Sequence, residues 1–211
     1  MEKEYKWMIE NKTMFHNIVN SSIVAQALVS KQDIQMEAIY YDTEDHLLAQ
    51  MHGALRLRKE NDVSVCCLKL AEQGEGALKT RKEYEVTAQD IYSGLTRLKN
   101  IIEAEGLDIL LRSSSLVELC RTDFIRNAYL LCIDKPSGIC EGELAFDFGN
   151  MSCGTCRAPL CEMEFEYKSG DLHSFHNFAH QLESTFALTP QPLSKMGRAM
   201  ELKEILFTRK G

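Results

Sequence analysis

Residues 2–9 read EKEYKWMI. With a period of two, Glu2, Glu4, Lys6 and Met8 fall on one side, and Lys3, Tyr5, Trp7 and Ile9 on the other. That period belongs to a β-strand with one face buried. The odd face can pack against a core, while the even face sets two carboxylates and an ammonium in a row. Such a face looks either at bulk water or at something that needs those charges.

The habit recurs along the chain. In ALRLRKE, Leu55 and Leu57 alternate with Arg56 and Arg58; in CLKL, Leu68 and Leu70 flank Lys69. RKEYEV puts Arg81, Glu83 and Glu85 opposite Tyr84 and Val86, and CRTDF adds Arg121 and Asp123. ELAFDF sets Glu143 and Asp147 against Leu144, Phe146 and Phe148, and CEMEFEY sets Glu162, Glu164 and Glu166 against Met163, Phe165 and Tyr167. Antiparallel sheets commonly keep one wet face, but wet faces mix Thr, Ser, Gln and Lys. Here nearly every polar position ionises, and the signs segregate by strand.

Closing the sheet into a barrel removes its edges and turns the charged face inward. Strands are expected near 2–9, 37–43, 54–60, 63–70, 80–87, 116–126, 128–135, 142–148 and 160–167, with tight connections at KEND (59–62) and RNAY (126–129). Amphipathic helices are expected over 15–29, 89–104 (stopped near Gly106) and 171–186 (capped by Asp171), covering the apolar outer face. The expected fold is thus α+β: a closed eight-stranded antiparallel barrel, a tunnel, with helices packed outside. With 211 residues and no linker-like tract, residues 1–211 read as one domain.

Composition bounds the partners. Hydrophobic residues make up 45% and charged residues 26%, as in soluble globular proteins. No apolar run reaches the ~18 residues of a membrane span, and the acidic start is unlike a secretory signal; a cytoplasmic location is expected. A net charge of -7 argues against a broad nucleic-acid footprint. Eight cysteines in that compartment read as reduced thiols. The cluster Cys153-Gly-Thr-Cys156, with Cys161 and Cys140 nearby, matches no common zinc spacing, and Gly149, Asn150, Gly154 and Pro159 read as a loop.

A dry lumen holding this many charges would be ruinously costly to desolvate, so it must hold water and a counter-ion of matching complexity. Clustered carboxylates suit a hard divalent cation such as Mg²⁺, and clustered Arg and Lys suit phosphate oxygens. Together they point to a metal-bound polyphosphate and to phosphoryl transfer, most simply to water.

These residues resemble a known family. EKEYK resembles the ExExK motif of the CYTH superfamily, the triphosphate tunnel metalloenzymes. YYDTEDHLLAQMHGALRLRKEND, KTRKEYEV, RTDF, ELAFDFG, EMEFEYKSGDL and LSKMGRAMEL are similar to its later blocks, in the family's order and over nearly the whole chain. The resemblance implies an eight-stranded tunnel and a small-molecule triphosphate substrate with Mg²⁺ or Mn²⁺, two ions with substrate bound. It implies metal ligation by Glu2, Glu4, Glu164 and Glu166, with Glu162 and Asp147 also matched; Asp134, in CIDKPSG, competes for the Asp147 role. Lys6, Arg56, Arg58, Lys69, Arg81, Arg121, Lys195 and Arg198 match triphosphate-binding positions, and Lys6, Glu83 and Glu85 are the candidates for a catalytic role. The bacterial members it most resembles imply an inorganic triphosphatase, cleaving tripolyphosphate to pyrophosphate and phosphate. Class IV adenylate cyclase, thiamine or nucleoside triphosphatase and a non-catalytic polyphosphate-binding module are the alternatives.

Overall fold

The computed structural model describes residues 2–73, 76–102 and 116–208. Among these, the elements run β1 (Glu2–Met8), α1 (Lys12–Val19), α2 (Ser22–Ala27), β2 (Leu28–Thr43), α3 (Leu47–Gln50), β3 (Gly53–Glu60), β4 (Val63–Gln73), β5 (Leu78–Thr87), α4 (Ile91–Lys99), β6 (Leu116–Lys135), β7 (Gly138–Cys153), β8 (Cys156–Gly170), α5 (Leu172–Phe186), β9 (Thr189–Pro190) and α6 (Lys195–Thr208).

Hydrogen-bonded neighbours follow the order β5-β4-β3-β2-β6-β7-β8-β1, and β1 returns to pair with β5. This closes an eight-stranded antiparallel barrel. β5 pairs with β1 only from Glu2 to Tyr5, and the short β9 takes over that edge at Trp7 and Met8. Closure leaves no long open edge beside β1, which is the physical reward of a barrel.

The apolar faces point outward, and the helices bury them. Tyr5, Trp7, Leu144, Phe146, Met163 and Phe165 form one cluster with Phe15, Ile18 and Val24 of α1 and α2, and with Phe175, Phe178 and Leu182 of α5. Leu55, Cys66 and Leu68 pack beneath α4 through Ile91, Leu95 and Leu98. α4 approaches so closely that a Cβ on Gly94 would sit 2.3 Å from that of Cys66. At the other end, Ala199 of α6 packs with Ala38 and Tyr40, which face the cavity, and with Cys120, Met151 and Cys153. No disulfide joins any of the eight cysteines.

Several local expectations need correction. RNAY is no turn: Arg126–Tyr129 lie inside the continuous 20-residue β6, paired on both sides with β2 and β7. The polar dipeptide looks like a turn in isolation, but two flanking strands supply its backbone partners. The 15–29 helix is two helices, because Ser21 caps a fresh start at Val24 Nα, and Leu28 already belongs to β2. β2 therefore begins nine residues before the expected 37. The supposed 149–159 loop is a tight hairpin centred on Gly154, which takes φ of 56°. KEND does turn, with Asn61 in the left-handed region. Asp171 caps α5 as expected, accepting from Ser174 N at 2.6 Å. Residues 103–104 of the expected 89–104 helix, and Gly106, lie outside the described residues. Asp134 is exposed near the end of β6, opposite Ile139 of β7, whereas the buried Asp147 of β7 lies opposite Arg126.

Candidate functional site

Alternation fixes what the barrel encloses. The inward positions are even on β1, β2, β3, β6 and β8, and odd on β4, β5 and β7. They line a cavity of about 970 Å³. Among the described residues its wall carries eight cationic side chains (Lys6, Arg56, Arg58, Lys69, Arg81, Arg126, Lys168, Lys195) and eight carboxylates (Glu2, Glu4, Glu60, Glu83, Glu85, Glu143, Glu164, Glu166). The lining is therefore formally balanced, so a polyanion entering it must bring cations of its own.

Cross-strand register pairs these charges. Glu4 lies opposite Glu166, and Lys6 opposite Glu164, between β1 and β8; Lys69 lies opposite Glu83 between β4 and β5. Lys69 Nζ donates to Glu83 at 2.7 Å and to Glu2 at 3.3 Å. Arg56 reaches Glu83 at 3.3 Å, Arg58 reaches Glu85 at 3.0 Å, and Arg81 bridges Glu2 (2.8 Å) and Glu4. Burial alone would raise the Glu83 carboxyl, but bonding with Glu2 and the charges of Lys69 and Arg56 pull it down to about 2. The Cys67 thiol is pushed up to about 12 by burial. It stays protonated and donates to the same carboxylate at 2.8 Å.

A second cluster lies where α6 meets the barrel. The Lys195 ammonium contacts Asp147 (2.8 Å), Glu164 (2.9 Å) and Glu162. Arg126 grips Asp147 through two hydrogen bonds of 2.8 and 2.7 Å and reaches Glu164 at 2.6 Å. Arg198 adds 2.7 Å to Glu162, and Lys6 adds 3.2 Å to Glu164. Burial works to raise Glu164, yet Lys195, Lys6 and Arg126 hold it well below the usual carboxylate range. For Glu162, burial wins and its pKa rises.

The structure brings Glu2, Glu4, Lys6, Arg56, Arg58, Lys69, Arg81, Glu83, Glu85, Glu164, Glu166 and Lys195 into one cavity. Asp147 and Glu162, expected among metal ligands, do not line it; both are fully buried against the cations of β6 and α6. Arg198 serves the same cluster through Glu162. Arg121 is not in the tunnel. Its side chain is 56% exposed on the outside of β6 and pairs with Glu118, because inward positions on this strand are Thr122, Phe124 and Arg126. The likeness of RTDF to the family's block pointed to Arg121, while the turn expected at 126–129 concealed Arg126. Arg126, Lys168 and Glu143 were the site residues left without a role, although each keeps the inward parity of its strand.

One wall departs from the charged pattern. Ile34, Met36, Ala38 and Tyr40 of β2, with Phe124 of β6, give the cavity an apolar strip. At its mouth stand Ala49, His52 and Gly53, carried on the α3 loop that buried Asp42 anchors. The Asp42 carboxylate accepts from Thr43 N (2.7 Å), Leu48 N (2.9 Å) and Ala49 N (3.1 Å).

The donor set suits a hard divalent cation. Glu2, Glu4, Glu164, Glu166 and Glu143 offer only carboxylate oxygen to the cavity. Glu166 is raised by burial and by the like charges of Glu2 and Glu143, which Lys168 offsets in part. Acids crowded in this way are relieved by a cation.

Comparison with known proteins agrees with this architecture. Residues 1–200 match the CYTH domain. An inorganic triphosphatase of Haemophilus influenzae is 28% identical over 182 residues, covering 85% of this chain and 49% of that protein; the chain spans about half the length of this curated relative. Among solved structures, a candidate adenylyl cyclase from Hippeastrum, described as having a dominant triphosphatase activity, superposes with a TM-score of 0.67 at 15% identity, over 95% of this chain and 96% of that one. A Pyrococcus horikoshii protein superposes at 0.56 and 17% identity, over 95% and 99%. With the closed tunnel, its inward acids and bases and the match over residues 1–200 in hand, the chain belongs to the CYTH domain family.

Proposed function

We propose that this protein is a divalent-cation-dependent triphosphatase, acting on inorganic tripolyphosphate to give pyrophosphate and phosphate. The observation that carries the reading is the arginine wall. Arg56 and Arg58 line the cavity, and the Nε of each is buried with no hydrogen-bond partner among the described residues. A buried donor without an acceptor is costly, and phosphate oxygens are the acceptors a guanidinium fork fits. The inorganic triphosphatase relative supports the same activity.

Arg56, Arg58, Lys69, Arg81 and Arg126 would grip the phosphate chain, and Lys6 and Lys195 would reach one end of it. Glu2, Glu4, Glu164 and Glu166, with Glu143, would hold Mg²⁺ or Mn²⁺; Asp147 and Glu162 instead bind α6 to the barrel. A bound divalent cation of this kind neutralises phosphoryl charge and polarises the phosphoryl oxygens. In the reaction, water oxygen bonds to the terminal phosphorus as the bridging P–O bond breaks and pyrophosphate leaves. The cationic side chains stabilise charge on the equatorial and leaving oxygens. Glu83, ionised down to about pH 2, is a weak base; its part is to accept a hydrogen bond from the water and aim it, with Glu85 beside it. A water-bearing lumen carries the released proton to solvent.

A second reading, an organic triphosphate such as a nucleoside triphosphate, is favoured by the apolar strip of Ile34, Met36, Tyr40 and Phe124, which inorganic phosphate has no use for. Phosphate release from tripolyphosphate, ATP and thiamine triphosphate, with Mg²⁺, with Mn²⁺ and with EDTA, beside a cyclic-AMP assay, separates the readings. Fastest release from tripolyphosphate, abolished by EDTA and reduced at least 100-fold in Arg58→Ala, is expected. Tight triphosphate binding with no product from any substrate would leave a binding module and end the enzymatic reading.

A further inference from the structure

We infer that the outer face of α5 carries a second cation site, unrelated to the tunnel, for a borderline divalent metal of the Zn²⁺ type, with His176 and His180 as its ligands. The two histidines are four residues apart on a 15-residue helix, so they share one face, one turn apart. Both rings stand edge-on to the ring of Tyr5, at centroid distances of 5.9 and 5.8 Å and angles of 74° and 75°. Packing against the same ring restricts the rotamers of both.

Each ring also has its Nδ1 turned to a partner. His176 Nδ1 lies at hydrogen-bond distance, 2.8 Å, from the Tyr5 hydroxyl, whereas His180 Nδ1 lies 3.5 Å from a Glu183 carboxylate oxygen, an ion-pair distance and not a hydrogen bond. When His176 donates its Nδ1–H to the Tyr5 hydroxyl, its Nε2 keeps a lone pair and the ring is oriented, which is the arrangement that supports metal-bound imidazoles. Two imidazoles on one helix face suit Zn²⁺, Ni²⁺ or Cu²⁺, whereas Mg²⁺ prefers oxygen. His176 is lowered by burial first, then by His180, Lys3 and His173, so it is neutral and ready to ligate near neutral pH. The His180 side chain is 64% exposed, which leaves the site open to an ion and to waters completing its coordination. Nothing in the tunnel chemistry uses these residues: Tyr5 points away from the cavity that its neighbours Glu4 and Lys6 line.

The test is a Zn²⁺ titration of the intact protein in excess Mg²⁺, which keeps the tunnel carboxylates occupied, followed by imidazole ¹H–¹⁵N resonances. The expected result is saturable, joint shifts of His176 and His180, with His176 driven to the Nδ1–H tautomer. His180→Ala should weaken that binding at least tenfold, and Tyr5→Phe, which removes only the hydroxyl, should weaken it about 10–100-fold. Because His180 is exposed, its variant keeps the test valid even if His176→Ala does not fold. Absence of imidazole shifts at millimolar Zn²⁺, or shifts undiminished in His180→Ala, overturns the site.

Discussion

At the scale of single residues, the tunnel shows how pairing overrides desolvation. Glu83 is largely withdrawn from solvent, yet its pKa falls from 4.5 to about 2 because its ionised form is bonded and flanked by cations. A depressed folded-state pKa means that the ionised form favours folding. That contribution is complete above about pH 4.5 and is lost as pH falls from there toward 2. It amounts to something on the order of 3 kcal/mol, so Glu83→Gln should lower stability at pH 7 and flatten the acid limb of urea-denaturation curves between pH 4.5 and 2. An acid limb as steep as the parent's would show that other carboxylates set it. The two arginines of β6 give a sharper contrast. Arg121→Ala removes an exposed pair worth about 0–1 kcal/mol and should leave kcat, KM and Tm near parent values. Arg126→Ala leaves Asp147 and Glu164 short of a cation and should cost about 3–5 kcal/mol, with triphosphate turnover lost as well. Equal kinetics in the two variants would contradict the inward assignment of Arg126.

Among elements, the decisive contacts are those that fix a strand or a loop in place. β6 leaves no room for a side chain at Gly149 of β7, where an added Cβ would meet Asp123 O at 2.1 Å and Phe124 Cα at 2.4 Å. Those are backbone atoms that cannot swing aside, so Gly149→Ala should destabilise by about 1–3 kcal/mol or more, read by denaturant midpoint. The α3 loop depends on Asp42 in a different way. Asp42→Ala strands three backbone donors and should cost about 1–3 kcal/mol. Because this loop brings His52 and Gly53 to the cavity mouth, KM for triphosphate should rise more than kcat falls. Asp42→Asn keeps one acceptor oxygen and should recover part of the loss; no difference between the two variants would remove the capping account. Helix α6 acts through charge: Lys195 and Arg198 pair with buried Glu162, and Lys195 shares Asp147 and Glu164 with Arg126 of β6.

For the molecule as a whole, balanced wall charges make ligand and cation interdependent. Tripolyphosphate with Mg²⁺ at about 100 times Kd should stabilise the fold by about 2.7 kcal/mol, seen as a rise in Tm. Either component alone should do much less, since each would leave one sign of charge unmatched. Equal stabilisation by tripolyphosphate in EDTA would mean the carboxylate wall has no part in binding.

Alternation in EKEYKWMI, ALRLRKE, RKEYEV and CEMEFEY was sufficient to place acids and bases on common strand faces, because a side-chain period of two is a local property of extended backbone. The helix over 171–186 and its Asp171 cap were legible for the same reason: capping and amphipathicity act within a few residues. What no local pattern held was where β6 runs unbroken. Arg126–Tyr129 is extended only because β2 and β7 pair with it from both sides, and that pairing makes Arg126, not Arg121, the arginine of the tunnel. Nor could spacing show that Glu164 lines the cavity while Glu162 and Asp147 are buried beside it against Lys195, Arg126 and Arg198. That division depends on α6 arriving from the far end of the chain. Residue pattern determines which way a side chain points from its strand; which charges meet is decided only when distant strands and a helix share one small volume.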